Sequence, residues 1–70
     1  MRRTEVLRKI AREAKRQGAS WVLVCEGRSH SVYRLNGAMI PIGHHRELDE
    51  MLARKIFVEC ESELGKDRWR

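Results

Sequence analysis

The sequence predicts an α+β fold in the order α-β-β-β-α, with a three-stranded antiparallel sheet and two helices on one of its faces. Three observations predict it. Apolar residues recur at helical spacing near both ends of the chain, three short runs of strand character lie between them, and an Asn-Gly pair joins the last two runs. Seventy residues without repeats, linkers or low-complexity stretches make a single domain, residues 1–70.

The first helix is expected over residues 5–17. Val6, Leu7, Ile10, Ala11 and Ala14 share one side of the cylinder, Thr4 is a candidate N-cap and Gly18 a C-terminal stop. At 100° per residue, Arg8, Arg12 and Lys15 fall within about a 60° arc on the opposite side, with Lys9 and Arg16 at its edge. These bases read either as a solvated helix face or as a contact surface for a polyanion.

Trp21-Val22-Leu23-Val24-Cys25 is too short for a helix after a glycine stop, and its β-branched and aromatic content makes it the first strand. Glu26-Gly27-Arg28 breaks the chain, and Ser29 to Leu35 form the second strand. Asn36-Gly37 is the pair preferred in a two-residue type I′ hairpin. Ala38 to Ile42 return as the third strand, and Pro41, which cannot donate a ladder bond, requires an edge or a strand end. Residues 43–48 form a loop. Asp49 then caps a second helix running to about Leu64, with Leu52, Ile56, Cys60 and Leu64 at four-residue steps and Met51 and Phe57 beside them. Residues 65–70 carry no periodicity and are read as a frayed tail.

A chain this short buries roughly 60% of its unfolded surface, so its core is thin and a deep cofactor pocket has little room. A surface site or a binding face fits better, with no cofactor expected. Fifteen Lys and Arg against ten Asp and Glu leave +5 on a small body, with arginine dominating the bases. That balance favours a polyanion, nucleic acid first and an anionic membrane or acidic protein second. Cys25 and Cys60 have no metal-type spacing, and both lie in apolar patterns where a free thiol acts as a small hydrophobe. No signal-like apolar run or membrane-length stretch is present, so the chain is read as cytoplasmic, with reduced thiols and no membrane partner.

The segment with the most chemistry is Gly27-Arg28-Ser29-His30-Ser31-Val32-Tyr33-Arg34. It sets a histidine, the side chain that titrates near neutral pH, at the head of a strand, flanked by two arginines suited to phosphate. Strand alternation puts His30, Val32 and Arg34 on one face and Ser31, Tyr33 and Leu35 on the other, without deciding which face meets the helices. His44 and His45 are sequence neighbours, so their side chains diverge unless the backbone turns sharply. With no Cys or paired carboxylate at a diagnostic spacing, a three-histidine metal site is a weak reading. RNA cleavage without a metal suits what remains. RNA carries its own nucleophile, the 2′-hydroxyl, so the protein need supply only proton transfer and charge stabilisation. One histidine does not obviously serve both proton transfers; a loop histidine, Tyr33 or water is needed as a second group.

Several of these features together resemble the HicA family of toxins, the small mRNA interferases of bacterial toxin–antitoxin pairs. They are the opening amphipathic helix, the strand Trp21-Val22-Leu23-Val24, the Gly27…Ser29-His30…Tyr33-Arg34 signature, Ile40-Pro41-Ile42, a following histidine with Glu47-Leu48, and a final helix around Leu52-Ala53-Arg54-Lys55-Ile56. The likeness spans about residues 4–64. It implies a fold similar to double-stranded-RNA-binding domains and ribosome-independent cleavage of mRNA without a metal. It also implies a catalytic role for His30 and neutralisation by a HicB-type antitoxin. The family commonly reads Gly-Ser-His, whereas Arg28 here separates Gly27 from Ser29. The expected RNA contacts are Arg28, Ser29, Arg34, His44, His45 and Arg46, helped by Arg8, Arg12 and Lys15. The alternative is an RNA-binding module of the same fold with no catalysis; a protein-interaction domain whose charge serves only solubility is a third reading.

Overall fold

Helix α1 (Arg3–Gln17), strands β1 (Trp21–Glu26), β2 (His30–Leu35) and β3 (Ala38–Gly43), and helix α2 (Glu50–Leu64) follow one another in the order the pattern predicts. The computed structural model describes residues 1–66; the reading of a frayed tail lies, for residues 67–70, outside the described residues. The sheet order is β1-β2-β3 and both pairings are antiparallel, so β2 is central and β1 and β3 are edges.

The register decides what alternation alone left open. Ser31, Tyr33 and Leu35 pair with Ile42, Ile40 and Ala38, and this is the face the helices cover. Val6, Ile10 and Ala14 of α1, and Ala53, Ile56, Phe57, Cys60 and Leu64 of α2, bury against Leu35, Ile40, Ile42 and Leu48. His30, Val32 and Arg34 therefore belong to the uncovered face, opposite Gly43, Pro41 and Met39. Pro41 sits mid-strand but on an edge, where the donor it lacks is not required.

Helix α2 starts as expected, with the Asp49 carboxylate accepting from Leu52 N–H at 2.8 Å. Helix α1 does not start at Thr4. Its N-cap is Arg2, with no side-chain cap, and Arg2 forms an isolated antiparallel bridge with Glu47 in the loop after β3. Arg3 N–H donates to the Arg46 carbonyl at 2.9 Å and Leu48 N–H to the Met1 carbonyl at 2.8 Å, so a main-chain acceptor takes one of the first-turn N–H groups that have no partner within the helix.

The hairpin turn also departs from the expected type. Asn36 is left-handed, at φ 52°, but Gly37 is not, whereas a type I′ turn needs both. The cause is an anchor outside the hairpin: Asn36 Oδ1 accepts from Ser20 N–H at 2.9 Å, and Asn36 N–H donates to the Ser20 carbonyl at 2.8 Å.

Three further differences concern burial. Cys60 is buried but Cys25 is exposed. Met51 stands 84% exposed, off the α2 core face. Glu13 is buried on α1, where its carboxylate accepts from Arg16 at 2.9 Å and from Gln17 at 2.7 Å. Along β1, Trp21 stacks on Tyr33 with ring centroids 4.6 Å apart, while Val22, Leu23 and Val24 remain exposed on an edge broken by a bulge between Leu23 and Cys25.

Candidate active site

His30 is the first residue of β2 and is exposed. The chain reaches it through a tight turn in which Gly27 N–H donates to the His30 carbonyl at 2.8 Å. A Cβ at Gly27 would stand 3.0 Å from that carbonyl, which explains a glycine there although it is separated from Ser29 by Arg28. The turn uses residues 27–29, so β2 begins at His30 and not at Ser29. Ser29 Oγ lies 3.0 Å from His30 Nδ1, and Nε2 has no hydrogen-bond partner among the described residues. A serine hydroxyl both donates and accepts, so it holds the ring in either tautomer while Nε2 stays open.

Behind this turn is a network that joins four elements. Ser31, fully buried, places its hydroxyl among three side chains. Arg3 of α1 donates to Ser31 Oγ at 2.7 Å and, through Nε, to the Gly43 carbonyl at 2.8 Å. The Ser31 hydroxyl donates to Glu26 at the end of β1. His44 Nε2 lies 2.6 Å from Glu26 Oε1 and 2.9 Å from Ser31 Oγ, and its Nδ1 donates to the Arg28 carbonyl at 3.1 Å. The hydrogen bond from Ser31, and after it the contact with His44, hold the Glu26 carboxyl below its ordinary value of 4.5. An ionised carboxylate and a carbonyl only accept, so the whole set of His44 bonds forms when both ring nitrogens carry protons. His44 is thereby committed to the turn that carries Arg28, Ser29 and His30.

His45 goes elsewhere. Its ring and that of His30 both approach Gly43: a Cβ on Gly43 would stand 3.5 Å from His45 Cδ2 and 4.0 Å from His30 Cδ2. The two imidazoles line an open groove of about 220 Å³ together with Pro41 and Gly43 of β3 and Leu52, Lys55, Ile56 and Glu59 of α2. Neither ring nitrogen of His45 has a hydrogen-bond partner among the described residues. Among those residues no three His, Cys, Asp or Glu side chains form a group able to hold a metal ion.

The arginines are not equivalent. Arg28 is exposed in the turn next to His30. Arg34 shares the His30 face but stands four residues along the strand, about 13 Å at 3.3 Å per residue, too far to flank one phosphate with it. Arg46 is exposed with its carbonyl engaged by Arg3, and Arg8, Arg12 and Lys15 are all exposed along α1. The sequence does not single out Lys55, Glu26, Arg3 and Gly43; the approach of α2 to β3, the closing of the β1–β2 turn, the seating of α1 and the β2–β3 ladder bring them to His30, Ser31 and His44. No protein-family model, curated protein or solved structure matches the chain. No helix among the described residues is long and apolar enough to cross a membrane.

Proposed function

We propose that this protein is an endoribonuclease that cleaves mRNA in the cytoplasm in the manner of HicA-type toxins, with His30 as a proton-transfer residue and a HicB-type antitoxin as its neutralising partner. The observation that carries the reading is His30 itself: an exposed imidazole on an uncovered sheet face, its Nδ1 fixed by Ser29 and its Nε2 open beside a groove. A base held in one orientation and open to solvent is what abstraction of a 2′-hydroxyl proton requires. Net charge +5 and the exposed bases Arg8, Arg12, Lys15, Arg28 and Arg34 suit an extended polyanion. The fold order, with an uncovered sheet face opposite the helices, is the order expected of a double-stranded-RNA-binding-like domain. The chemistry calls for no metal, since the substrate brings its nucleophile and the protein brings proton transfer and cations.

The test is cleavage of single-stranded RNA by the purified protein with and without a strong chelator, together with the His30→Ala variant. The expected result is cleavage that survives the chelator and is lost in the variant while its circular dichroism is unchanged. RNA that is bound and left intact by the parent protein makes it a binding module instead. Abolition by the chelator and rescue by a divalent ion would overturn the mechanism.

A further inference from the structure

Resting on that reading, we infer that His45 is the second proton-transfer residue of the site, the general acid that complements His30 across Gly43. A 2′-hydroxyl attack needs one group to take a proton and another to give one, and a single imidazole in one orientation does not do both in one step. Three side chains could have filled the second place. Tyr33 is on the opposite face of β2, stacked on Trp21. Both ring nitrogens of His44 are engaged, one with Glu26 and Ser31 and the other with the Arg28 carbonyl. His45 alone of the three lines the same groove as His30; both rings approach the position a Gly43 Cβ would take, and the His45 nitrogens are open.

Ser29 engages His30 at Nδ1 and leaves Nε2 as the open nitrogen, which fits the part of the base. When His30 Nδ1–H donates to Ser29 Oγ, Nε2 presents its lone pair, which is the form of a base. His45, with neither ring nitrogen engaged, is left as the proton donor of the pair. The step then balances. The 2′-oxygen gives its proton to His30 Nε2 and bonds to phosphorus. The bond from phosphorus to the 5′-oxygen breaks, its electron pair stays on that oxygen, and the oxygen takes a proton from His45. The products are a 2′,3′-cyclic phosphate and a 5′-hydroxyl, and no oxidant, reductant or co-reactant is consumed. Lys55 of α2 lines the same groove and offers a cation to the non-bridging oxygens.

The experiment compares an ordinary RNA with one in which sulfur replaces the bridging 5′-oxygen at the cleaved linkage. A thiolate leaves without being protonated, so the second substrate does not need the acid. His45→Ala is expected to slow cleavage of ordinary RNA by about 10²–10⁴-fold and to return to within about tenfold of the parent on the sulfur-substituted RNA. His30→Ala should remain slow on both. Each variant is checked by circular dichroism, with His45→Gln as the substitute if His45→Ala does not fold. A His45→Ala protein that cuts ordinary RNA like the parent, or that is equally slow on both substrates, overturns the assignment and leaves the reading of His30 intact. A parent protein that cuts neither substrate overturns that reading and this one with it.

Discussion

Glu26 Oε1 lies 2.6 Å from His44 Nε2, a contact that ties the end of β1 to the residue following β3. Between these two strands runs β2, and the same His44 ring holds the Arg28 carbonyl at 3.1 Å. The turn that delivers His30 is thus fixed by a pair that has no hydrogen bond to His30 and does not line the groove. Ser31, one residue after His30 and on the opposite face, completes the link to Arg3 of α1. The imidazole of His30 on one side of β2 is thus positioned by a polar network around Ser31 on the other.

Breaking that pair should therefore impair the chemistry more than binding. Glu26→Gln and His44→Ala are expected to lower single-turnover cleavage on the order of 10–10²-fold at saturating RNA, since small misplacements of a reacting group cost that much. RNA affinity should stay within about twofold of the parent, because neither side chain faces the phosphates. Equal losses in affinity and rate would make the pair a direct RNA contact.

The same carboxylate gives an acid-side signature. The Glu26 pKa is lowered in the folded protein, so its contribution to stability is complete above the ordinary value of 4.5 and is lost as pH falls through the lowered folded value. Thermal unfolding followed from pH 7 to pH 3 should show a steeper acid decline in the parent than in Glu26→Gln. Since Glu26 is largely exposed, the difference will be small. Parallel curves would show that the contact contributes nothing to folding.

How much of this was legible in the sequence follows from distance along the chain. Helix periodicity, the Asp49 cap and the Asn36-Gly37 turn are local, and each predicted its element. The sharing of one face by His30, Val32 and Arg34 is also local, a matter of alternation. The pairing of Glu26 with His44 joins residues 18 apart, and that of Arg3 with Ser31 residues 28 apart; no spacing rule announces such contacts. Thr4 was misread as a cap for a related reason, since the acceptor for Arg3 N–H is the carbonyl of Arg46, far along the chain. Arg34 could have been set apart from the His30 phosphate by counting strand rise alone.

The two thiols should report the core independently of any function. Cys25 is exposed on β1, while Cys60 is buried, and burial, with Glu59 adding to it, pushes its thiol up to about 12. Ellman's reagent at neutral pH is expected to titrate Cys25 in the folded protein and Cys60 only after denaturation. A raised folded value stabilises fully below the unfolded value of 9.0 and is lost as pH rises towards about 12, so parent stability should fall over that window more than that of Cys60→Ala. Rapid reaction of both thiols in the folded state contradicts the packing of α2.

Salt dependence separates the bases. Each neutralised phosphate of single-stranded RNA contributes about −0.7 to the slope of log K against log salt. Replacing Arg8, Arg12 and Lys15 together should flatten that slope by about 2, with single-turnover cleavage at saturation nearly unchanged. Arg34→Ala should behave in the same way on a smaller scale, because it stands along the strand from His30, whereas Arg28→Ala should slow the chemical step as well. An unchanged slope in the triple variant assigns the α1 bases to a solvated face.

Gly43 offers the most direct probe of the space between the two imidazoles. It pairs with His30 at the end of the β2–β3 ladder, and a Cβ there meets His45 Cδ2, the Ser29 carbonyl and His30 Cδ2 at 3.5, 3.9 and 4.0 Å, all ordinary van der Waals distances. Gly43→Ala should therefore fold and cleave within a few-fold of the parent. Valine suits a strand backbone equally well, but its two γ-methyl groups extend beyond that Cβ, where His30 and His45 approach. Gly43→Val is expected to keep its thermal midpoint within a few degrees while cleavage falls on the order of 10²-fold, the cost of moving reacting groups by about an ångström. The loss should appear in the rate at saturation more than in affinity. If valine cuts RNA as well as alanine does, no proton passes through the space beside Gly43, and His30 works without a partner there.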